Sequence, residues 1–192
     1  MYESISDGYK RIWLKPSYQS SAYKCLQEID AYLAKPPIRI LDIGCGYAHV
    51  SEHFQKKYNC ELWLLDGDFE ATVDRPRKNS WGDVDNMKFY LPVEDLKQYW
   101  NSRGMRYTFV DATNCTIDNA VTFDLVYSRL SCGFHYPAKT YKSLVEKHTN
   151  KHSVCIFDFR TKALSVQSVD IEVIHDFKMQ SNKRSRLHFK FT

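Results

Sequence analysis

The chain has 192 residues, of which 43% are hydrophobic and 15% aromatic, and its formal net charge is +4. This length and composition predict one folded domain with a substantial core and exclude global disorder. No apolar run approaches the roughly 20 residues of a membrane-spanning helix, and the polar, acidic N-terminus is unlike a signal peptide. The six cysteines form no CxxC pair, so we expect reduced thiols, no metal site and a cytoplasmic protein.

The first 35 residues are predicted to be a helical segment that precedes the sheet. Residues 9–33 have the pattern of a helix with a break near Pro16, and Pro36 and Pro37 mark where it must stop. We expect this segment to pack on the sheet, and the alternative is a cap that closes over a bound ligand. The predicted organisation is a single domain of residues 1–192, with a helical cap at 1–35 and a core at 36–192.

The remaining chain alternates between strand and helix patterns. Predicted strands are 38–43, 61–66, 106–111, 121–128 and 153–159, and predicted helices are 49–58, 93–100 and 138–148. The long connection 67–104 contains a loop-like stretch at 74–82. Two alternating segments, 170–177 and 186–191, are predicted to pair as a hairpin around residues 181–183. The pattern predicts an α/β fold with a doubly wound, mostly parallel, seven-stranded sheet and a C-terminal antiparallel hairpin.

A glycine loop follows the first predicted strand. A dinucleotide fingerprint beginning at Gly44 would need its third glycine at the position of His49, where a bulky imidazole opposes close approach to a pyrophosphate. A P-loop would need a lysine and a hydroxyl residue soon after Gly46, and neither is present. The motif therefore favours a ligand that has sugar hydroxyls and an ammonium group but no phosphate.

Acidic residues end the second and third strands as well as the first. Asp66 lies about 20 residues after Gly44, where a carboxylate accepts hydrogen bonds from the two hydroxyls of a ribose. Asp68 competes for this role. Asp111 and Ala112 add an acid and a small residue at the end of the third strand.

The order of these motifs resembles the class I S-adenosyl-L-methionine-dependent methyltransferases. The matching motifs are Leu-Asp-Ile-Gly-Cys-Gly at 41–46, Leu-Leu-Asp-Gly-Asp at 64–68, Phe-Val-Asp-Ala at 109–112 and Phe-Asp-Leu-Val-Tyr-Ser at 123–128. The resemblance covers residues 38–160, and the closing hairpin also has its counterpart in that fold. The third small residue of the family's glycine loop is Ala48 here and not a glycine. Residues 160–169 are few for a crossover between strands, which predicts that the last crossover helix is vestigial.

The resemblance implies S-adenosyl-L-methionine (AdoMet) as cofactor and S-adenosyl-L-homocysteine (AdoHcy) as product. By the resemblance, the first motif lines the methionine and sugar side of AdoMet, the second holds the ribose hydroxyls and the third meets the adenine. Asp124 would be a structural acid within the fourth motif. The residues implied to bind the cofactor are Asp42, Gly44, Cys45, Gly46, Asp66, Gly67, Asp111, Ala112 and Ser128.

Residues 128–137 follow the fourth strand, from which the acceptor faces the methyl group in this family. His135 is the candidate base that removes a proton from a hydroxyl acceptor, and Tyr136 is the candidate residue that orients it. The alternative is that both side chains only pack. This stretch contains neither the Pro-Pro motif of methyltransferases that act on DNA amines nor the Pro-Cys of cytosine-C5 enzymes.

The predicted function is methyl transfer to a small-molecule acceptor, such as a hydroxyl on a sugar or a similar metabolite. One alternative is a nucleic-acid methyltransferase guided by the cations between Lys178 and Lys190, for which a solvated hairpin is the simpler interpretation. Another is a non-catalytic protein that keeps the fold and binds the cofactor or a partner. His49 and His53 have helical spacing, but the sequence between them lacks the H-E-x-x-H order of a zinc site.

Overall fold

The computed structural model describes residues 5–68, 89–179 and 183–192, which form helices around a central sheet. The helices are α1 (Ile5–Trp13), α2 (Pro16–Tyr32), α3 (His49–Tyr58), α4 (Val93–Ser102), α5 (Lys142–Lys147) and α6 (Leu164–Gln167). The strands are β1 (Arg39–Ile43), β2 (Glu61–Asp66), β3 (Tyr107–Asp111), β4 (Leu125–Ser128), β5 (Val154–Arg160), β6 (Ile171–Asp176) and β7 (Arg184–Phe191). The predicted loop at 74–82 and the predicted turn residues 181 and 182 lie outside the described residues.

The seven strands have the order β3-β2-β1-β4-β5-β7-β6. Strands β1 to β5 are parallel, whereas β7 lies antiparallel between β5 and β6. This arrangement confirms the predicted doubly wound α/β fold with its C-terminal antiparallel hairpin. The strand order reverses between β1 and β4, and ligands of such sheets bind outside the carboxyl ends of the strands at this switch point.

The predicted elements are found, and the largest differences in extent are at the fourth strand and at the helix that follows it. The fourth strand begins at Leu125 and not at residue 121, because Phe123 already bonds through its amide to the carbonyl of His148 outside the sheet. The predicted helix 138–148 starts as a 3-10 turn (Ala138–Tyr141) and becomes α5 only at Lys142. The last crossover contains only the four-residue α6 between two 3-10 turns, as its short length predicted.

Both faces of the sheet are covered. On one face Ile29 of α2, Phe54 of α3 and Trp100 of α4 are buried in a common core with the sheet. On the other face Val145 of α5 packs in a second core with Phe157 of β5 and its neighbours. The N-terminal segment packs on the sheet through α2, and its role as a cap stays a prediction. Among the described residues, no helix is both long and apolar enough to cross a membrane.

A buried ion pair joins the C-terminal hairpin to the parallel sheet. Arg186 of β7 is 2% exposed, and its Nε lies 2.8 Å from Oδ1 of Asp158, the residue opposite it on β5. A second nitrogen of Arg186 lies 2.5 Å from Glu28 of α2. The network therefore connects β5, β7 and α2 in a single hydrogen-bonded unit.

Candidate functional site

The glycine loop, residues 44–46, turns the chain sharply between β1 and α3. Gly44 and Gly46 have positive φ angles of 67° and 50°, a conformation that glycine adopts without the steric strain of a side chain. The amides of Gly44 and Cys45 both donate to the carbonyl of Leu65, at 2.8 and 3.1 Å. The loop is thereby held against the end of β2, at the switch point of the sheet.

Asp66 fixes the glycine loop through its carboxylate. Its Oδ2 accepts a hydrogen bond from the Gly46 amide at 2.7 Å, and its Oδ1 accepts one from the Gly67 amide at 2.9 Å. The Cys45 thiol lies 3.8 Å from Oδ2. Burial raises the pKa of Asp66 to about 6. Among the described residues, Oδ2 thus accepts from the Gly46 amide and from the weak thiol donor of Cys45, whereas Oδ1 accepts only from Gly67 and keeps a lone pair for a hydroxyl of a ligand.

Asp111 and Ala112 lie beside Asp66 at the end of β3. The register places Asp66 opposite Asp111, and the Ala112 amide donates to the carbonyl of Asp66 at 2.9 Å. Oδ1 of Asp111 accepts from the amide and hydroxyl of Thr113, at 2.8 and 2.7 Å. Its Oδ2 has no hydrogen-bond partner in the part of the chain that the structure describes. The structure thus brings the predicted ribose and adenine residues together along one edge.

Two other predicted cofactor residues lie beneath this edge. Asp42 is 3% exposed, and its Oδ2 accepts hydrogen bonds from Ser51 at 2.8 Å and Tyr127 at 2.6 Å. The Ser128 hydroxyl donates to the Ile43 carbonyl at 2.8 Å and accepts from the Cys132 amide at 2.8 Å. This geometry gives Asp42 and Ser128 a supporting role, and their contact with a cofactor stays a prediction.

Replacing Asp42 by Asn is expected to change how stability depends on pH. Burial raises the pKa of Asp42 to about 7, so ionisation destabilises the folded state as pH rises from about 4 to 7. The free energy of unfolding of Asp42→Asn, relative to wild type, should therefore increase by up to about 1.4 kcal/mol per pH unit in this window. Urea denaturation of the ligand-free protein at several pH values measures this difference.

Asp30→Asn is the matched control for that experiment. Burial alone would raise the pKa of Asp30, but hydrogen bonds from Lys57 and Tyr58 outweigh it and hold the pKa below its usual value. Asp30 is therefore ionised in both folded and unfolded chains between about pH 5 and 7, and its substitution should give a flat difference there. A flat difference for Asp42→Asn as well would contradict the assigned cost of ionising Asp42.

The glycines of the site are also points where other side chains pack closely. A Cβ on Gly67 would lie 2.2 Å from the ring of Phe89, and one on Gly44 would lie 1.8 Å from Oγ of Ser131. A Cβ on Gly46 would lie 3.5 Å from the indole of Trp13. The absence of side chains at these positions therefore leaves room for the neighbouring protein side chains.

The β4 loop, residues 129–137, folds back onto the glycine loop and onto β5. The Gly133 amide donates to the Tyr136 carbonyl at 2.8 Å, and the Arg160 amide donates to the Gly133 carbonyl at 3.1 Å. The Tyr136 hydroxyl lies 3.0 Å from Oγ of Ser131. Burial raises the pKa of Tyr136 well above its ordinary value, so its hydroxyl stays protonated.

His135 points in a different direction from Tyr136. Its ring centroid lies 5.1 Å from that of Phe134 and 5.9 Å from that of Tyr90. Its Nδ1 is buried and has no hydrogen-bond partner among the described residues. Burial, together with the charge of Arg160, lowers the pKa of His135 to about 4, so the imidazole is neutral at physiological pH. The ring is therefore uncharged, and its role as a base stays a prediction.

Sequence patterns did not identify three aromatic or cationic residues that lie near the candidate site. Trp100 of α4 donates from its indole to the Gly46 carbonyl at 3.1 Å, and the Trp13 carbonyl lies 3.1 Å from Nε2 of His49. Both tryptophans come from segments far from the glycine loop in sequence, so no local motif marks them. Arg129 directly follows β4. Its position at the carboxyl end of a parallel strand is the one sequence feature that could have indicated a place near the site.

Comparison with known proteins gives a fold assignment. The sequence matches no protein-family model and no curated protein. Among solved structures, the ribosomal protein L11 methylase from Lactobacillus delbrueckii subsp. bulgaricus matches with 13% identity and a TM-score of 0.60, over 91% of this chain and 79% of that one. The chain therefore shares the fold of that methylase across most of both lengths.

Two further solved structures contain the cofactor or its product. The plantazolicin methyltransferase BpumL, in complex with a desmethylPZN analog and SAH, has 18% identity and a TM-score of 0.56, covering 84% of this chain. A 16S rRNA methyltransferase from T. thermophilus, in complex with AdoMet and guanosine, has 10% identity and a TM-score of 0.59, covering 93%. This chain spans 56% and 43% of their lengths, respectively.

These likenesses establish the architecture. The strand order, the antiparallel β7 and the glycine loop at the switch point are those of the class I methyltransferase fold. Sequence identities of 10–18% are sufficient to assign the fold but not the activity. The chain has the fold of the class I AdoMet-dependent methyltransferases, as the sequence motifs indicated.

Proposed function

We propose that this protein is an AdoMet-dependent methyltransferase that acts on a hydroxyl of a small molecule such as a sugar. The observation that carries the proposal is the carboxylate of Asp66, which holds the glycine loop while Oδ1 keeps a lone pair and the second hydrogen bond to Oδ2 comes only from the weak thiol donor of Cys45. A pair of acceptors at this position suits the vicinal hydroxyls of a ribose. The fold and the predicted motifs agree with this assignment.

Residues at the ends of different strands would contact different parts of the cofactor. Asp66 would hold the ribose, the glycine loop with Gly67 would accept the methionine and sugar side, and Oδ2 of Asp111 beside Ala112 would meet the adenine. Cys45 would line the site with an uncharged thiol, because burial raises the pKa of that thiol well above the ordinary value. When bound, AdoMet supplies a methyl group on positively charged sulfur that an oxygen can attack.

The β4 loop supports a hydroxyl acceptor. Neutral His135 can accept the proton of a hydroxyl while its oxygen bonds to the methyl carbon and the carbon–sulfur bond breaks. The protonated hydroxyl of Tyr136 can orient the acceptor by hydrogen bonding. The three similar proteins are named for a ribosomal protein, plantazolicin and 16S rRNA. The choice of a small-molecule hydroxyl therefore rests on His135 and Tyr136.

Calorimetry with AdoMet and AdoHcy tests the cofactor assignment directly. We expect both to bind the wild-type chain with one site per protein. Absence of binding would refute the proposed function. Binding without transfer of a labelled methyl group to a broad panel of hydroxyl acceptors would favour the alternative of a protein that keeps the fold without the chemistry.

Removing the imidazole of His135 is expected to lower turnover and to leave cofactor binding intact. A positioned base contributes about 10²- to 10⁴-fold, so His135→Ala should reduce kcat by this order with unchanged AdoHcy affinity. His53→Ala is the control, because the His53 ring packs on exposed Tyr23 at 5.2 Å, on the outer side of α3. Radiometric methyl transfer measures both variants, and full turnover by His135→Ala would show that its ring only packs.

The hairpin cations give limited support to the alternative of a nucleic-acid methyltransferase. Arg186 is buried, Arg184 pairs with Asp158 at 3.1 Å, and Lys178 pairs with Asp176 at 2.9 Å. These contacts leave fewer cations for phosphates than the sequence indicated. Binding of RNA or DNA that weakens steeply with salt, and weakens further in Lys190→Gln, would favour this alternative.

The N-terminal segment is proposed to complete the site as part of the same domain. Trp13 at the end of α1 lies against Gly46, and its carbonyl contacts His49 at the start of α3. Residues 1–35 thus supply both a packed helix and a wall beside the glycine loop. All six cysteines are free, which supports the predicted cytoplasmic location.

A further inference from the structure

Arginines gather where β4 and β5 end and β7 begins. Arg160 of β5 lies directly opposite Arg184 of β7, and like charges in opposing positions of a sheet destabilise it. Asp158 lies 3.1 Å from Arg184 and is also the partner of Arg186. No carboxylate among the described residues forms an ion pair with Arg160. This edge of the sheet therefore carries positive charge that the described chain does not compensate.

Arg129 adds a second incompletely bonded guanidinium at the same edge. It lies 4.5 Å above the ring of Tyr18, and one terminal nitrogen donates to Oγ of Ser21 at 3.0 Å. Its Nε is buried without a hydrogen-bond partner among the described residues. Burial raises the pKa of Tyr18, and the charges of Arg129 and Arg184 both act in the opposite direction. A buried N–H group without an acceptor destabilises the protein. A bound oxyanion would accept its hydrogen bond and remove this cost.

An aromatic wall leads from the glycine loop to Arg160. Trp13, which lies against Gly46, has its ring 6.0 Å from that of Tyr90. The ring of Tyr90 is 5.9 Å from that of His135, which is 5.1 Å from that of Phe134. The guanidinium of Arg160 lies 5.0 Å above Phe134. The candidate base thus lies between the proposed cofactor loop and an arginine that has no ion-pair partner among the described residues.

We propose that Arg129 and Arg160 bind an anionic group, a phosphate or a carboxylate, carried by the methyl acceptor. The inference rests on the proposed function, because it assigns the substrate class of the same site. A guanidinium presents parallel donors that match either oxyanion, and the unpartnered Nε of Arg129 is one such donor. Neutralising Arg160 would also remove a charge that lowers the basicity of neighbouring His135. Acceptor binding would therefore make the base more effective.

Titration with small oxyanions tests the proposal without knowledge of the full acceptor. Methyl phosphate, acetate and neutral acetamide are added to phosphate-free protein, with and without AdoHcy, and the arginine Nε–H signals are followed by NMR. We expect at least one anion, and not acetamide, to shift the Arg129 signal. The more strongly bound anion identifies phosphate or carboxylate as the acceptor group.

Variants distinguish a binding role from a structural one. Arg160→Gln and Arg129→Gln should each weaken anion binding by about tenfold or more, the loss expected for a charge-assisted hydrogen bond. Arg39→Gln is the matched control, since Arg39 pairs with Glu61 at the opposite end of the sheet. Without anion, Arg160→Gln should unfold at the same or a higher temperature than wild type, because it removes the repulsion with Arg184. A clear loss of stability would instead indicate a structural role.

The outcomes separate this proposal from the proposed function. Failure of wild type to bind AdoHcy refutes the methyltransferase assignment, whereas the anion titration alone judges the arginine site. Absence of anion binding by wild type, or equal binding by wild type and Arg160→Gln, overturns the inference. Loss of AdoHcy binding in Arg129→Gln would assign Arg129 to the cofactor and overturn its role toward the acceptor.

Discussion

Asp66→Asn is expected to weaken AdoHcy binding by about 10- to 100-fold, the largest loss of cofactor affinity expected from a single substitution at this site. The carboxylate accepts backbone hydrogen bonds on both oxygens, from Gly46 and Gly67. An amide in its place turns one acceptor into a donor, which then faces an N–H group. The substitution therefore disturbs the glycine loop and removes an acceptor for the ribose hydroxyls. Isothermal titration calorimetry with AdoHcy measures the change.

Asp68→Asn is the matched control, because Asp68 is the other acid at the end of β2. Its Oδ1 accepts from the amide of Val93 at 2.9 Å, at the start of α4 and away from the glycine loop. AdoHcy affinity should change little in this variant. Equal losses in both variants would mean that the acid at position 66 is not the one that recognises the ribose.

The affinity of wild type for AdoHcy should also depend on pH. Burial raises the pKa of Asp66 to about 6 in the free protein, and the ionised carboxylate is the better acceptor for two hydroxyls. Protonation competes with binding below this pH, so affinity at pH 5 should be about tenfold lower than at pH 7. Asp66→Asn should lack this dependence. A wild-type affinity that stays constant over this range would contradict a direct role of the carboxylate.

The order of strands and the cofactor edge could be predicted because their signals are local. The apolar segment before Asp66 predicts a buried strand, and the element is observed with the predicted bounds, as is α3. Parallel strands place their carboxyl ends at one edge, so Asp66 and Asp111 had to lie near the glycine loop. For these two acids, the strand pattern of the sequence and the geometry of a parallel sheet predict the same location.

The supporting shell could not be predicted, because its contacts join distant segments. Trp100 reaches Gly46 from α4, and Phe89 fills the space beside Gly67, yet neither belongs to a recognisable motif. The predicted surface role of the hairpin cations fails at Arg186, which pairs with an acid of β5 inside the protein. A strand pattern shows which residues alternate, and it does not show which cation meets a buried carboxylate.

Arg186→Met is expected to cause the largest loss of stability. The guanidinium and the Asp158 carboxylate are both excluded from solvent, and removing one partner of such a pair costs about 3–5 kcal/mol. Among the described residues, the remaining carboxylate then pairs with Arg184 alone, and α2 loses the contact of Glu28 with Arg186. Urea denaturation measures the free energy of unfolding. Lys97→Met, which breaks an exposed pair with Glu94, is the control and should change stability by less than about 1 kcal/mol.

Adding Asp158→Asn to Arg186→Met should recover part of the loss, because the second substitution removes the unpaired buried charge. Additive losses in the double variant would show that the two side chains stabilise the protein independently.

The network lies on the β5–β7 side of the sheet, whereas Asp66 lies on β2. Arg186→Met at a temperature where it remains folded should therefore bind AdoHcy with nearly wild-type affinity. Asp66→Asn should show the reverse pattern, with weakened binding in a stable protein, so that stability and cofactor recognition are determined by different parts of the sheet.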